Sequence, residues 1–587
     1  MADVLTYRQA LLSNLLEDVS PYMQDDNLCG KDDPTSDVRS VACKLLLESL
    51  FKKWPEDSKR AEDRALLTFL EANSLSERWA KPPECRISGD FAEFFGEFRS
   101  EVHNFFHFDP AGRYPIDLDD GTIAASGRVG PGAARRANCT SFYGKMACSP
   151  LTATSLGLYT IYRRYVESDP RWLEMETSRE SHYGSLHIVS GSKVSFAPKN
   201  ADIARLICTE PSVNMYLQLG LCALLEDRMR EIWNVSLDDQ PDLNRLLARR
   251  GSLGDGFATL DLSSASDSVS VALCKEVLPG WVYDLVMELR SPTAEATDYG
   301  LNVKLGCIST MGNGFTFPLM TMLLSCAVRA VYRVLGIPLQ ENRRYSAEGY
   351  NVPGNWAVFG DDIIARSDAY DNLVGFLQSL GFRVNVAKSF NKGPFRESCG
   401  HDYFLGKSVR GVYLKGLTSR QDLFVAVNRL NDWSYRTGVG LPRAVQYLMS
   451  LIRDVLYVPY AETEDAGVKV PSSIFAGVSN DRKFGPFKAC YKRSVARAER
   501  IPIGDGAVMH MSGSKRLKFN GAGALLSFLL GEVRDGSIVV RANTNNGRYQ
   551  TRWHVSPNWD YMPPSAWVSP RVDWPRWETA VYDNLKS

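Results

Sequence analysis

The sequence predicts an α+β protein, on three observations. Residues 1–110 carry helical apolar periodicity, as in VACKLLLESLFKKW and RALLTFLEANSL. Residues 356–365, WAVFGDDIIA, set two short apolar runs on either side of Gly360, Asp361 and Asp362, the pattern of a β-hairpin with two carboxylates at its tip. Residues 257–260 read as a strand that delivers Asp261 at its end, ahead of a loop and a helix capped near Ser266 or Asp267.

The chain begins MADVLTYRQALLSNLLEDVS, which reads as an amphipathic helix without the basic and continuously apolar parts of a secretory signal. His103 and His107 stand four apart in an aromatic helix. A shared metal lacks the glutamate of an H-E-x-x-H site, so packing among phenylalanines is the simpler reading. Residues 127–145, rich in Gly, Ala and Arg, form a loop whose Arg128, Arg135, Arg136 and Lys145 either touch a phosphate backbone or lie on a solvated surface. A glycine-bearing loop, residues 309–314, feeds a long apolar helix ending near Gly336. Pro318, Arg329 and Arg333 interrupt that apolar stretch, which predicts a buried core helix and no membrane span. Residues 371–382 read as a helix, and residues 557–577 are rich in Trp and Pro.

With 587 residues the chain is long enough for several domain-sized cores, which disfavours a small binding module. Its 68 basic and 68 acidic residues cancel, so any nucleic-acid contact must come from a local basic channel and not from bulk charge. The 12 cysteines include no C-x-x-C pair, which fits reduced thiols inside a cell.

Carboxylates carry the chemistry. An Asp pair in a turn is by itself ordinary turn chemistry. A third carboxylate about a hundred residues earlier changes its meaning, because two divalent cations held by hard carboxylate oxygens can activate a hydroxyl and stabilise a leaving oxygen in phosphoryl transfer. Asp261, Asp361 and Asp362 supply such a set.

The order DLSSASD, STMGNGFTF, FGDD resembles motifs A, B and C of the palm of viral RNA-directed RNA polymerases. The wording is similar to that in replicases of leviviruses, the small positive-strand RNA phages. PKN, Arg205 and ICTEP before the first of these, and GPFRESCG after the last, extend the resemblance over residues 190–410. It implies a right hand with fingers, palm and thumb, the palm an antiparallel sheet flanked by helices and the thumb mainly helical. Residues 1–250 would hold the N-terminal region and fingers, 251–410 mainly the palm, and 411–587 the thumb and C-terminal region.

The resemblance also implies roles. Asp261 and Asp361 would be the principal ligands of two Mg²⁺ ions, with Mn²⁺ a possible substitute, Asp362 a weaker ligand and the Leu262 carbonyl a further one. Asp267, with Asn313 and Ser309, would recognise the ribose 2′-hydroxyl, and Gly312 would let the loop approach the nucleotide. Many viral polymerases carry an Asn four residues after a Thr in motif B; here Thr316 is followed by Met320, and Asn313 stands next to Gly312 instead. Lys199 and Arg205, with Lys193, resemble the basic motif F that holds the triphosphate, and Lys388 the motif D lysine that protonates the leaving pyrophosphate. Residues 402–409 resemble a motif E hairpin. Between Arg482 and Lys518, basic residues interleaved with Phe484, Phe487 and Tyr491 suit either an RNA-facing patch or a protein contact.

The implied reaction is template-directed RNA synthesis from NTPs in the cytoplasm of a bacterial host. The implied partners are RNA template and product, host elongation factors Tu and Ts, and a small-subunit ribosomal protein. A reverse transcriptase shares the carboxylates, but Phe359-Gly360 and Asp267 favour RNA synthesis; an inactive RNA-binding scaffold would not require Asp261, Asp361, Asp362 and Lys388 together.

Overall fold

The computed structural model describes residues 2–23, 30–54, 58–80, 89–107, 115–199, 203–344, 351–474, 489–502, 508–510, 516–534, 536–542, 549–556, 559–560 and 573–586. Its architecture is α+β. At the centre lies an antiparallel sheet of four strands in the order Ala357–Phe359, Asp362–Arg366, Phe257–Ser263, Arg383–Val384.

Side chains alternate across this sheet, and each of its faces places apolar residues in a core. Leu260, Leu262, Ile363 and Val358 enter the largest core, with the helices Gly89–His107, Thr316–Val334 and Tyr370–Ser379. Phe257, Ile364 and Ala357 point the other way, toward Leu247, Ala248 and Tyr403. The helix Thr316–Val334 is apolar and long enough to cross a membrane, yet 83% of it is buried in this core. Arg329, which interrupts its apolar run, is buried against Glu101 and Glu341.

A second four-stranded sheet, in the order Ala204–Thr209, Ser192–Pro198, Thr293–Ala296, Leu301–Lys304, stands beside the first. Its inner face packs on Leu66 and Phe69 of the helix Ser58–Arg78. A three-stranded sheet, Phe395–Ser398, His401–Phe404 and Lys407–Ser408, contains the expected 402–409 hairpin. Leu405 and Gly406 both have positive φ (47° and 74°) at its turn, as a two-residue hairpin loop matching the strand twist requires.

The helices Ala2–Val19 and Val38–Ser49 share a core with Phe395, Phe404 and the helices Arg420–Thr437, Pro442–Leu451 and Trp574–Lys586. Chain start and chain end are thus packed together.

Several sequence expectations need correction. The region after residue 411 is mixed and not mainly helical, because the strand Ala489–Ala496 pairs along its whole length with Tyr549–Ser556. Asp261 lies inside its strand, which runs on to Ser263. The following helix, Val271–Val277, is capped by Ser270, while residues 266–268 form a separate single turn. In the 127–145 loop, Arg128 pairs with Glu226, Arg135 pairs with Glu295, and Lys145 is buried with its ammonium on the Gly130 carbonyl. Arg135 and Lys145 build interior contacts of the loop, whereas the Arg128 pair lies at the surface. Tyr491 is buried with its hydroxyl on Glu462, so it offers no face for base stacking; Phe484 and Phe487 lie outside the described residues.

Leu46, fully buried, ties the N-terminal helices to the C-terminal core. Leu46→Ala is expected to lower unfolding stability by about 2–5 kcal/mol through the cavity left behind, read as a lower denaturant midpoint.

Candidate active site

Asp261 and Asp362 face each other across the antiparallel pair Phe257–Ser263 and Asp362–Arg366. The backbone of Asp261 is engaged on its other side: its N–H donates to Ser389 Oγ at 3.1 Å and its carbonyl accepts from Asn385 N–H at 2.8 Å. Asp261 and Asp362 therefore form a non-hydrogen-bonded pair, the kind in which opposed side chains come closest. By the same alternation the Leu262 carbonyl is directed toward the hairpin strand, the side on which Asp361 lies.

The hairpin itself depends on Gly360. Its φ is +60°, its N–H donates to Thr321 Oγ1 at 3.0 Å, and a Cβ there would stand 2.4 Å from the Phe317 ring. Phe317 also meets Phe359 edge-on with ring centroids 4.7 Å apart. Asp361 occupies the turn and Asp362 is the first residue of the returning strand, so only one of the two carboxylates is at the tip.

Burial, and then like charge, sets the electrostatics. Burial pushes the Asp362 carboxyl up to about 6; the Cys399 N–H (3.1 Å) and Ser398 Oγ (3.3 Å) oppose that rise, while Asp361 and Asp261 add to it. Asp261 is also raised, first by burial, against the pull of Lys388 and of Asn385, whose amide donates to Asp261 Oδ2 at 2.7 Å. Lys388 Nζ lies 3.9 Å from Asp261 Oδ1 and 3.9 Å from Glu397 Oε1. Burial disfavours its charge, but Glu397, Asp261 and Asp362 outweigh this and hold its pKa above the ordinary lysine value. Lys199 feels Arg205 and Lys388 on one side and Asp261 and Asp361 on the other; desolvation and the two cations prevail and lower it. Lys388 and Lys199 thus share the field of the carboxylates, and Arg205 acts on Lys199. Lys193 is not brought there: it pairs with Thr209 and Glu295 at the far end of its strand, six residues or about 20 Å from Lys199.

The glycine loop closes a second wall. Residues 306–308 run beside 269–271, with Ile308 N–H on the Val269 carbonyl at 2.7 Å and Val271 N–H on the Gly306 carbonyl at 2.9 Å. This carries Ser309 to Gly314 up to the turn that holds Asp267. Gly312 has φ +121°, and a Cβ there would lie 2.2 Å from the Cys208 carbonyl oxygen. Ser309 Oγ and Asn313 Nδ2 are buried and have no hydrogen-bond partner. Burial pushes Asp267 up to about 7, against the Ser266 side chain and Arg383. Two orphaned polar atoms and a carboxyl that titrates near neutrality are what a wall for a hydroxylated ligand requires.

Among the described residues, no three His, Cys, Asp or Glu side chains converge as a finished metal cage. One oxygen each of Asp261 and Asp362 is tied to the protein, by Asn385 and by Ser398 with Cys399. The donor set still fits divalent cations in kind: hard carboxylate oxygens whose mutual repulsion a cation would relieve.

Residues 126–480, more than half of the chain, match the family model described as RNA replicase, beta-chain. The chain belongs to this family. The chain is 39% identical over 255 residues to the RNA-directed RNA polymerase subunit beta of Escherichia virus Qbeta, covering 43% of this chain and 40% of that protein. It is 32% identical over 339 residues to the RNA-directed RNA polymerase beta chain of Escherichia phage MS2, covering 56% and 57%. The match thus spans less than two thirds of either relative. Among solved structures, the RNA-dependent RNA polymerase of a human picorbirnavirus aligns over 71% of this chain and 83% of its own, at 11% identity and TM-score 0.30.

Sequence reasoning missed Asn385, Ser389 and Glu397, which hold Asp261 and Lys388, and Phe317 and Thr321, which hold the hairpin turn. Asn385 lies three residues before Lys388, but no local pattern marks an asparagine as the partner of a carboxylate over a hundred residues away.

Gly360→Ala is expected to destabilise the chain by about 1–3 kcal/mol, from the left-handed backbone and the clash with Phe317, read in thermal melting. Asp267 supplies a pH signature. Its folded pKa, about 7, is above the unfolded value, so its protonated form favours the fold and stability is lost as pH rises from near 4 through 7. Melting temperature followed across that window should fall more steeply for wild type than for Asp267→Asn.

Proposed function

We propose that this chain synthesises RNA on an RNA template from NTPs, replicating a phage genome through its complementary strand. The observation that carries this reading is the pairing of Asp261 with Asp362 beside Asp361, with Lys199 and Lys388 in the same electrostatic field. Family membership supports it.

Asp261 and Asp361, with Asp362 and the Leu262 carbonyl, would hold two Mg²⁺ ions, for which Mn²⁺ could substitute. When bound, the ions supply activation of the 3′-hydroxyl and charge stabilisation at the α-phosphate and leaving pyrophosphate. The protein's part is positioning. Lys199 and Arg205 would draw in the triphosphate, Arg205 as a bidentate donor. Lys388, kept protonated by its acidic neighbours, would stand ready to give a proton to the leaving pyrophosphate. Asp267, Ser309 and Asn313 would meet the ribose 2′-hydroxyl, satisfying the two orphaned buried atoms, while Gly312 lets backbone and nucleotide approach. Residues 1–250, 251–410 and 411–587 would serve as N-terminal region with fingers, palm, and thumb with C-terminal region. Host elongation factors Tu and Ts and a small-subunit ribosomal protein are the proposed partners, in the bacterial cytoplasm.

The test is Mg²⁺-dependent incorporation of labelled NTPs on an RNA template in host extract. Wild type should make template-length RNA, and Asp361→Asn should reduce it about a hundredfold or more; equal signals would overturn the assignment. Asn313→Ala should narrow the preference for rNTP over dNTP by about tenfold or more, measured as the ratio of kcat/KM values.

A further inference from the structure

The N-terminal helices deliver a cation to the neighbourhood of the site that none of these roles uses. Ser49 Oγ donates to the Val412 carbonyl at 3.1 Å, and Leu414 N–H donates to the Leu50 carbonyl at 2.8 Å, which pins the chain around residue 413 to the end of the helix Val38–Ser49. Lys53 Nζ then lies 4.3 Å from the Tyr413 ring centroid. The Arg410 guanidinium is 5.2 Å from the same ring, and Arg429 donates to the Tyr413 carbonyl at 2.7 Å.

Three cations therefore meet on one tyrosine, and they are not equally matched. Arg410 pairs with Asp402 at 2.8 Å and Glu397 at 3.6 Å, and Arg429 with Glu464 at 2.8 Å. Half-buried Lys53 and exposed Lys415 have no such carboxylate among the described residues. The groups acting most strongly on Lys53 besides its burial are cations: Arg410, Lys415, Arg429 and, from the strand Ala204–Thr209, Arg205. Together they lower its pKa. Holding a half-buried ammonium in a positive field costs stability unless an anion joins it.

This cluster adjoins the carboxylate site along two lines. Glu397 links Arg410 to Lys388, which lies 3.9 Å from Asp261. Arg205 acts on both Lys53 and Lys199, and Lys199 faces Asp261 and Asp361. Lys53, Arg410 and Arg429 gather on Tyr413 while Lys388 stands at Asp261, so the positive charge is spread over several side chains, which suits a chain of phosphates better than a single phosphate group.

We propose that Lys53 and Lys415, buttressed through Tyr413 by Arg410 and Arg429, bind backbone phosphates of the RNA strand in the site, so that the N-terminal helices form part of the RNA track. This rests on the polymerase reading above. Its test needs no synthesis: affinity of the full-length chain for a labelled single-stranded RNA is measured across a salt series without nucleotides.

Each lost phosphate contact should reduce the slope of log K against log salt by about 0.7. Lys53→Gln should lose about that much, Lys53→Gln with Lys415→Gln about 1.4, and Lys53→Arg none. Lys415→Gln alone, at an exposed position, keeps the test decisive should Lys53→Gln fail to fold. An unchanged slope in the double variant, or no RNA binding by wild type, would overturn the proposal. A reduced slope in a chain that makes no RNA would support this track while the polymerase reading fell.

Discussion

Asp261 faces Asp362 across a β-ladder, and the rest of the molecule is arranged around holding that like-charged pair. Two carboxylates directly opposed in adjacent strands repel, and burial raises the cost for both. The apolar residues on both faces of the sheet hold the register. Slipping by one residue would exchange Leu260 and Leu262 for Thr259 and Asp261 in the main core. Asn385, Ser398, the Cys399 N–H and Lys388 then offset part of the repulsion and leave room for cations to relieve the remainder.

The helix Thr316–Val334 couples the two halves of the site. Its first turns carry Phe317 and Thr321 against Gly360, and the loop before it presses Gly312 onto the Cys208 carbonyl and leaves Ser309 and Asn313 with unsatisfied polar atoms. The hairpin that bears the carboxylates and the wall proposed to read the sugar are thus anchored on one buried rod. Displacement of that rod would move both, so its burial fixes the hairpin and the wall relative to each other.

The shared core of chain start and chain end has a similar consequence. Leu11, Leu46 and Trp54 share a core with Phe395, Trp433 and Val581, and the same fold brings Lys53 beside Tyr413 and Arg410. A cluster assembled from such distant segments exists only in the folded chain, and Glu397 connects it directly to Lys388.

Local patterns in the sequence determined the α+β class, the Gly-Asp-Asp hairpin and the glycine loop with its core helix, while the roles expected of the site residues came from the family resemblance. Turn chemistry and apolar periodicity act over a few residues and leave a readable trace at that range, as at Gly360 and in the Thr316–Val334 run. Where the trace is weak, the boundaries shifted: Asp261 proved to be inside its strand because the strand's partners continue past it, and Ser270 capped the helix assigned to Ser266 or Asp267. Tertiary structure alone decided which charges meet. Arg135 and Lys145 turned inward, Arg128 found Glu226 at the surface, Lys193 went to the far end of its strand, and Asn385, Glu397 and Lys53 acquired partners distant in sequence or on separate elements. The physical reason is range: propensity and periodicity are properties of neighbours along the chain, whereas a charge gains its partner and its pKa from whatever packing brings within a few ångströms.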